Sequence, residues 1–272
     1  MKQYFYNGDI HTMIGDEVIN SFLVENEVIT AINCDKEVSD DCLLIDLEGK
    51  TVIPGFHDSH QHFLCYATDK EKINFFEARS LKDMFNLTKQ YISENNIEKG
   101  QWIQGGGWNE NNFDTMKVPT REDLDIICPD NPVIFTRACC STAVANTLAL
   151  KIAGIFENPP LLSDGVIVVD ENGIPTGMLE ERARFIVYDS LPKYTKSSLK
   201  YFIEKYQDDL LSAGLTTVQT DDFKLWDAEI SDILDAYQEL DIEGKLKVRF
   251  IEQLRLVNHK ELDEYLLNKH KK

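Results

Sequence analysis

Two histidines that follow a short run of strand-forming residues are the side chains in this sequence best suited to chemistry. Segment 54–62 reads Pro-Gly-Phe-His-Asp-Ser-His-Gln-His. Because side chains alternate between the two faces of a strand, His60 and His62 are predicted to point the same way. Two neutral imidazoles in that arrangement can ligate one divalent metal ion. Asp58 has the same parity and could orient a ligand histidine, whereas His57 points to the opposite face and is left out of the site.

The residues before this motif predict a small sheet. Short runs of β-branched and aromatic residues alternate with turns over the first fifty residues, and Pro54-Gly55 closes the region.

The middle of the chain mixes helix and strand signals. A capping-box-like start at Ser80 predicts a helix that ends before Gly100, and Thr120 opens a shorter helix that must stop before Pro129. The remaining predictions are a strand at 133–135, an alanine-rich helix from about Thr142 to Gly154, and a β-hairpin at 165–175.

The last third predicts alternating helices and strands. An amphipathic helix ending at Gly214 precedes a strand at 215–218, a second helix precedes a strand at 246–251, and a final helix from about Lys260 runs into the basic end at 270–272. This order implies parallel strands joined by helical crossovers, which is α/β wrapping. Asp221 and Asp222 follow one such strand and so face its functional end, but in a chain with 47 acidic residues a surface position is the safer interpretation.

Charge and cysteine content limit the function classes. The 272 residues carry a net charge of -19, which disfavours nucleic acid and anionic lipid as partners. The sequence shows no apolar signal core, no run of membrane-spanning length and no Cys-x-x-Cys pair among its six cysteines. We therefore expect a reduced cytoplasmic protein that does not contact membranes.

Segment 54–62 resembles the first-strand motif of the amidohydrolase superfamily. Further along, Gly106-Gly107-Trp108-Asn109, Arg137 with the segment 146–150, the segment 175–181 and the segment 214–218 resemble amidohydrolase family 3 and its YtcJ-like branch, in the same order. The likeness covers only an N-terminal portion of such proteins. It implies an α/β fold: a β-sandwich region at 1–50, the first strand of a metal-dependent-hydrolase TIM barrel at 51–62, a large α+β insertion at 63–194, and further βα units of an incomplete barrel at 195–272.

The resemblance also implies a function. A divalent metal, zinc by preference, would be ligated by His60 and His62 and would support hydrolysis of a non-peptide C–N bond in a small amide-like substrate. Trp108 would line the substrate pocket, although packing under a glycine-rich turn explains it equally well. Arg137 would bind a substrate carboxylate or form an ion pair with an acidic residue of the same chain, and the second alternative is the favoured one. Glu181 matches a recurrent acidic position near the pocket.

The sequence departs from the family in two ways. Ser141 occupies the position where the group usually has a histidine, and the preceding Cys139-Cys140 pair is expected to be buried in packing. The second departure is larger, because the metal ligands and the general acid-base of the later strands have no counterparts, so the site is expected to be incomplete. An inactive fragment, or one half of a split enzyme acting as an interaction subunit, is therefore the alternative function, with a second copy or a separately encoded C-terminal half as partner.

Overall fold

The computed structural model describes residues 2–34, 42–224, 228–254 and 259–269. The predicted basic end at 270–272 lies outside these ranges. The α/β fold is confirmed. In chain order the helices and strands are β1 (Lys2–His11), β2 (Val18–Glu25), β3 (Val28–Ile32), β4 (Cys42–Asp46), β5 (Thr51–Val52), β6 (Phe56–Gln61), α1 (Phe63–Asp69), β7 (Ile73–Asn74), α2 (Leu81–Glu94), β8 (Ile103–Trp108), α3 (Arg121–Ile127), β9 (Val133–Arg137), β10 (Thr142–Ala145), α4 (Thr147–Ile152), β11 (Gly165–Val169), β12 (Pro175–Glu181), α5 (Ala183–Tyr188), α6 (Lys196–Ser212), β13 (Leu215–Thr220), α7 (Ile230–Ile242), β14 (Arg249–Glu252) and α8 (His259–Lys269).

The N-terminal strands form one five-stranded sheet in the order β3-β2-β1-β4, with β5 pairing the far end of β1. The described residues of this region show a single sheet, so the predicted sandwich stays a prediction. Because β5 belongs to this sheet, the strand expected at 51–62 is shorter than predicted and begins at Phe56. Pro54 lacks a backbone N–H and separates the two pairings.

The segment 63–194, predicted to be an insertion, contains a six-stranded mixed sheet in the order β11-β12-β10-β9-β8-β7. Both predicted helix starts are confirmed, since Ser80 caps α2 and Thr120 forms a capping box with Asp123 at the start of α3. The predicted hairpin is confirmed as β11–β12. The helix expected from Thr142 is wrong, because residues 142–145 pair with β9 and β12 as a strand and the helix starts only after Asn146.

The third sheet is parallel and has the order β14-β13-β6, which confirms the predicted α/β wrapping. One face of this sheet packs against α1, α6 and α7 around a buried cluster that includes Phe63, Leu199 and Val218. The opposite face is open, with Phe56 54% and Ile251 46% exposed. Within the described residues these three strands do not close into a barrel. No helix among the described residues has the length and apolarity needed to cross a membrane.

Candidate functional site

The two predicted metal-ligating histidines lie together at the carboxyl end of β6. His60 lies near the end of the strand, and His62 is the N-cap residue of α1. Their ring centroids are 5.1 Å apart and the rings are nearly perpendicular, at 82°. The sequence expectation that both side chains share one side agrees with this contact, and their role as ligands stays a prediction.

Both imidazoles use Nδ1 to bind an oxygen from a neighbouring strand or its C-terminal extension. His62 Nδ1 lies 2.7 Å from the backbone carbonyl oxygen of Asp221, which can only accept, so Nδ1 carries the proton. His60 Nδ1 lies 3.2 Å from the amide oxygen of Gln253, which also accepts from the side chain of Gln219. With Nδ1 protonated on both rings, each Nε2 carries the lone pair that a metal ion requires.

The start of α1 is held by side chains that come from another part of the chain. His62 provides no side-chain hydrogen bond to cap this helix. Instead, the N–H of Phe63 donates to the Thr220 hydroxyl at 2.9 Å, and the N–H of Leu64 donates to the Asp222 carboxylate at 2.8 Å. These bonds satisfy two of the four helix N–H groups that have no partner within the helix. Residues 220–222 therefore fix both the ring and the backbone of His62.

Asp222 is fully buried and shares a proton with a second acid. Its carboxylate also accepts from the hydroxyls of Thr220 at 2.9 Å and Tyr237 at 2.7 Å. Glu252 is in contact with both the backbone N–H and the side chain of Asp222. Desolvation, and then the charge of Asp222, raise the pKa of Glu252 to about 9, so Glu252 is protonated at neutral pH and donates to Asp222.

The surface position expected for Asp221 and Asp222 is therefore wrong, since the two residues are 5% and 0% exposed. Burial is tolerated because Asp222 has three donors and a protonated acid beside it. Tyr237 and Glu252 were not singled out from the sequence, and no local motif marks them, because they approach Asp222 only through the packing of α7 and β14.

Asp58 and His57 are also placed by the structure. The Asp58 carboxylate accepts from the backbone N–H of His60 at 3.1 Å, so it orients the peptide of His60 rather than its ring. His57 is exposed and pairs with Thr217 of β13. Among the described residues no group of three or more His, Cys, Asp or Glu side chains is arranged to hold a metal ion.

The three residues predicted to bind substrate lie at one end of the six-stranded sheet. Trp108 pairs with Arg137 across β8 and β9, is fully buried, and donates its indole N–H to the carbonyl of Phe135. Arg137 forms a two-bond ion pair with Glu110, at 2.8 and 2.9 Å, which is the internal acid that the sequence favoured. Glu181 is exposed. A substrate role for any of the three stays a prediction.

The cysteine pair in the turn that follows Arg137 is more exposed than the sequence predicted. Cys139 and Cys140 are both exposed, so the predicted burial of this pair is wrong. The turn between β9 and β10 projects the two side chains away from the sheet instead of into the core. Ser141 remains tied to the sheet, because its carbonyl accepts from the N–H of Glu181 at 2.7 Å.

Comparison with known proteins identifies the family. The profile of the amidohydrolase family (Amidohydro_3) matches residues 43–271. The chain is 30% identical to YtcJ of Bacillus subtilis (strain 168), over 97% of this chain and 50% of YtcJ. It is 29% identical to an N-substituted formamide deformylase of Arthrobacter pascens, over 82% of this chain and 42% of the deformylase.

Two solved structures share the fold. An uncharacterized metal-dependent hydrolase from Pyrococcus horikoshii OT3 matches with a TM-score of 0.72 at 23% identity, over 99% of this chain and 51% of that protein. A second one, from Pyrococcus furiosus, matches with a TM-score of 0.71 at 25% identity, over 99% and 52%. The chain spans about half the length of the curated relatives it matches. On the family match, which covers most of its residues, the chain belongs to the amidohydrolase family.

Proposed function

We propose that His60 and His62 ligate a divalent metal ion, zinc by preference, in a hydrolase that cleaves a C–N bond other than a peptide bond in a small molecule. The observation that carries this proposal is the hydrogen bonding of the two rings. Both Nδ1 atoms are bound to oxygen, which leaves the Nε2 atom of each ring as the donor. The two nitrogens of neighbouring imidazoles suit zinc, and they supply two of the ligands that a zinc site needs.

A divalent metal at this position would polarise the substrate carbonyl and make water a better nucleophile. The residues of this chain would do the rest of the positioning. The carbonyl of Asp221 and the amide of Gln253 fix the two rings, and Asp58 fixes the backbone of His60. For the substrate class, the support is the likeness to a protein named N-substituted formamide deformylase. A substituted formamide is therefore the first substrate to test.

Metal analysis of the purified chain tests the ligand assignment. The chain is loaded with zinc, freed of excess, and compared with the double variant His60→Ala/His62→Ala by elemental analysis. We expect near-stoichiometric zinc in the wild type and its loss in the double variant. His57→Ala is the matched control, because His57 is an exposed histidine of the same strand and should leave zinc binding unchanged. Equal zinc in the double variant and the wild type would refute the assignment.

The second candidate function is that of an interaction subunit without activity of its own, either an inactive fragment or one half of a split enzyme. The open face of the β14-β13-β6 sheet favours it, since large apolar side chains such as Phe56 and Ile251 are about half exposed there. A second copy of this chain or a separately encoded C-terminal half would cover that face. Sedimentation of the chain alone, together with an assay on N-substituted formamides, separates the candidates. Turnover by the isolated chain supports the enzyme, and an inactive chain that dimerises through this face supports the subunit.

A further inference from the structure

A second cluster of potential ligands lies in the turn between β9 and β10. Cys139 and Cys140 are consecutive, and both are exposed. The N–H of Cys140 donates to the carbonyl of Arg137 at 2.9 Å, which closes the turn, and Cys140 has a left-handed φ of 58°. The backbone therefore presents both thiols on one exposed turn.

The surroundings of Cys139 favour the thiolate. Its sulfur lies 3.3 Å from the Ser141 hydroxyl and is hydrogen-bonded by Arg137, whose guanidinium is held in place by Glu110. Partial burial alone would raise the pKa of Cys139, but the hydrogen bonds from Ser141, Arg137 and Thr142 outweigh it and lower the pKa to about 6.

Other cysteines of the chain are in the opposite situation. Burial raises the pKa of Cys65 to about 11 and that of Cys128 to about 12. Thiols with such values are protonated at neutral pH and are poor ligands. The described residues thus include two thiols whose pKa is raised by burial and one exposed pair, Cys139 and Cys140.

We propose that Cys139 and Cys140 form a binding site for a soft monovalent cation of the Cu(I) class, held between the two sulfurs. Adjacent Cα atoms are about 3.8 Å apart, so rotation about the two side chains can bring both sulfurs to one ion. Soft thiolates select Cu(I), which accepts two sulfur ligands. Two sulfur ligands suit Cu(I) better than they suit zinc, and no third His, Cys, Asp or Glu joins the pair within the described part of the chain.

The binding step requires no change of oxidation state. Each sulfur donates one electron pair to the ion, and any proton on either thiol passes to water. The charge of the two thiolates is offset by the bound cation and by Arg137. The cysteine site is separate from the proposed metal site at His60 and His62. It lies at the end of the six-stranded sheet and offers sulfur instead of imidazole nitrogen.

A competition titration tests the proposal. The reduced, metal-free full chain is titrated anaerobically with Cu(I) against a chromophoric Cu(I) chelator. We expect one tightly bound Cu(I) per chain. Loss of a direct ligand should exceed the usual effect of losing an outer partner, so Cys139→Ser and Cys140→Ser should each weaken binding by more than about 100-fold. Cys42→Ser is the matched control for thiol loss, and the double variant His60→Ala/His62→Ala excludes binding at the histidines.

A second measurement, of cysteine alkylation, tests the same site without measuring the affinity for Cu(I). Alkylation with iodoacetamide at about pH 7, followed by mass spectrometry, should label Cys139 first, and Cu(I) should protect both Cys139 and Cys140. Because both side chains are exposed on a turn, the serine variants should keep the wild-type circular dichroism spectrum. Unchanged Cu(I) affinity in either serine variant, or protection confined to other cysteines, would overturn the proposal.

Discussion

Replacement of Glu252 by glutamine should change how the stability of the protein depends on pH. In the folded chain the pKa of Glu252 is about 9, against an ordinary value of 4.5, because the group is desolvated next to the charge of Asp222. The folded state therefore binds one more proton than the unfolded state between these two values. The stability from this proton is complete below about pH 4.5, and it is lost as the pH rises towards about 9. A glutamine at this position cannot titrate, but its amide can still donate to Asp222.

The size of the effect follows from proton linkage. One extra proton in the folded state costs about 1.4 kcal/mol of stability for each unit by which the pH rises within this window. Between about pH 6 and pH 8 the wild type should therefore lose about 3 kcal/mol relative to Glu252→Gln. Contributions from titrating groups that do not contact Glu252 cancel in this difference, because they are common to both proteins, and the glutamine amide keeps a donor beside Asp222.

Urea unfolding at about pH 6, 7 and 8 measures the difference directly. The matched control is Glu94→Gln, which makes the same chemical change at an exposed position on α2 and should give a difference that is constant with pH. A constant difference for Glu252→Gln as well would show that Glu252 is ionised in the folded protein. The inference that Asp222 and Glu252 share a proton would then be wrong.

Three further substitutions test other contacts by urea unfolding. Thr220→Val removes the acceptor for the N–H of Phe63 and one donor to Asp222, and should cost about 1–3 kcal/mol; a cost near zero would show that α1 needs no cap from β13. Gly177→Ala should cost at least about 2 kcal/mol, since φ is +97° and the new Cβ would lie 2.6 Å from a backbone oxygen, and a neutral result would contradict this backbone conformation. Arg137→Lys should cost about 1 kcal/mol by losing the two-bond pair with Glu110, and the same cost in a Glu110→Gln background would show that the pair contributes nothing.

The elements and the histidine pair could be predicted from the sequence because their causes are local. Period-2 and helical patterns, the capping residue Ser80 and the capping box at Thr120 depend on neighbours within a few residues, and the structure confirms them. The helix predicted from Thr142 failed for the converse reason. Alanine favours a helix, but pairing with two neighbouring strands overrides that preference.

The partners of the site could not be predicted because their contacts are distant in sequence. Asp222 meets Leu64 across 158 positions, and His60 meets Gln253 across 193. Counting acidic residues favoured a surface position for Asp222, since most acids are solvated. The structure reverses that inference because donors from α1, β13 and α7 converge on one carboxylate. The exposure of Cys139 was missed for a related reason, since only the turn geometry determines which way its side chain points.

The convergence at Asp222 also changes how the histidine motif should be understood. His60 and His62 lie on β6 and just after it, but their orientation depends on Asp221 and Gln253, which follow the next two strands. The helix that begins after His62 is held by Thr220 and Asp222. The motif alone would be a pair of mobile imidazoles at a strand end, whereas contacts from the two neighbouring strands fix the orientation of both rings. If the pair binds a metal ion as proposed, the parallel sheet is a condition for that binding, and a change that separates β13 from β6 should abolish it even with both histidines intact.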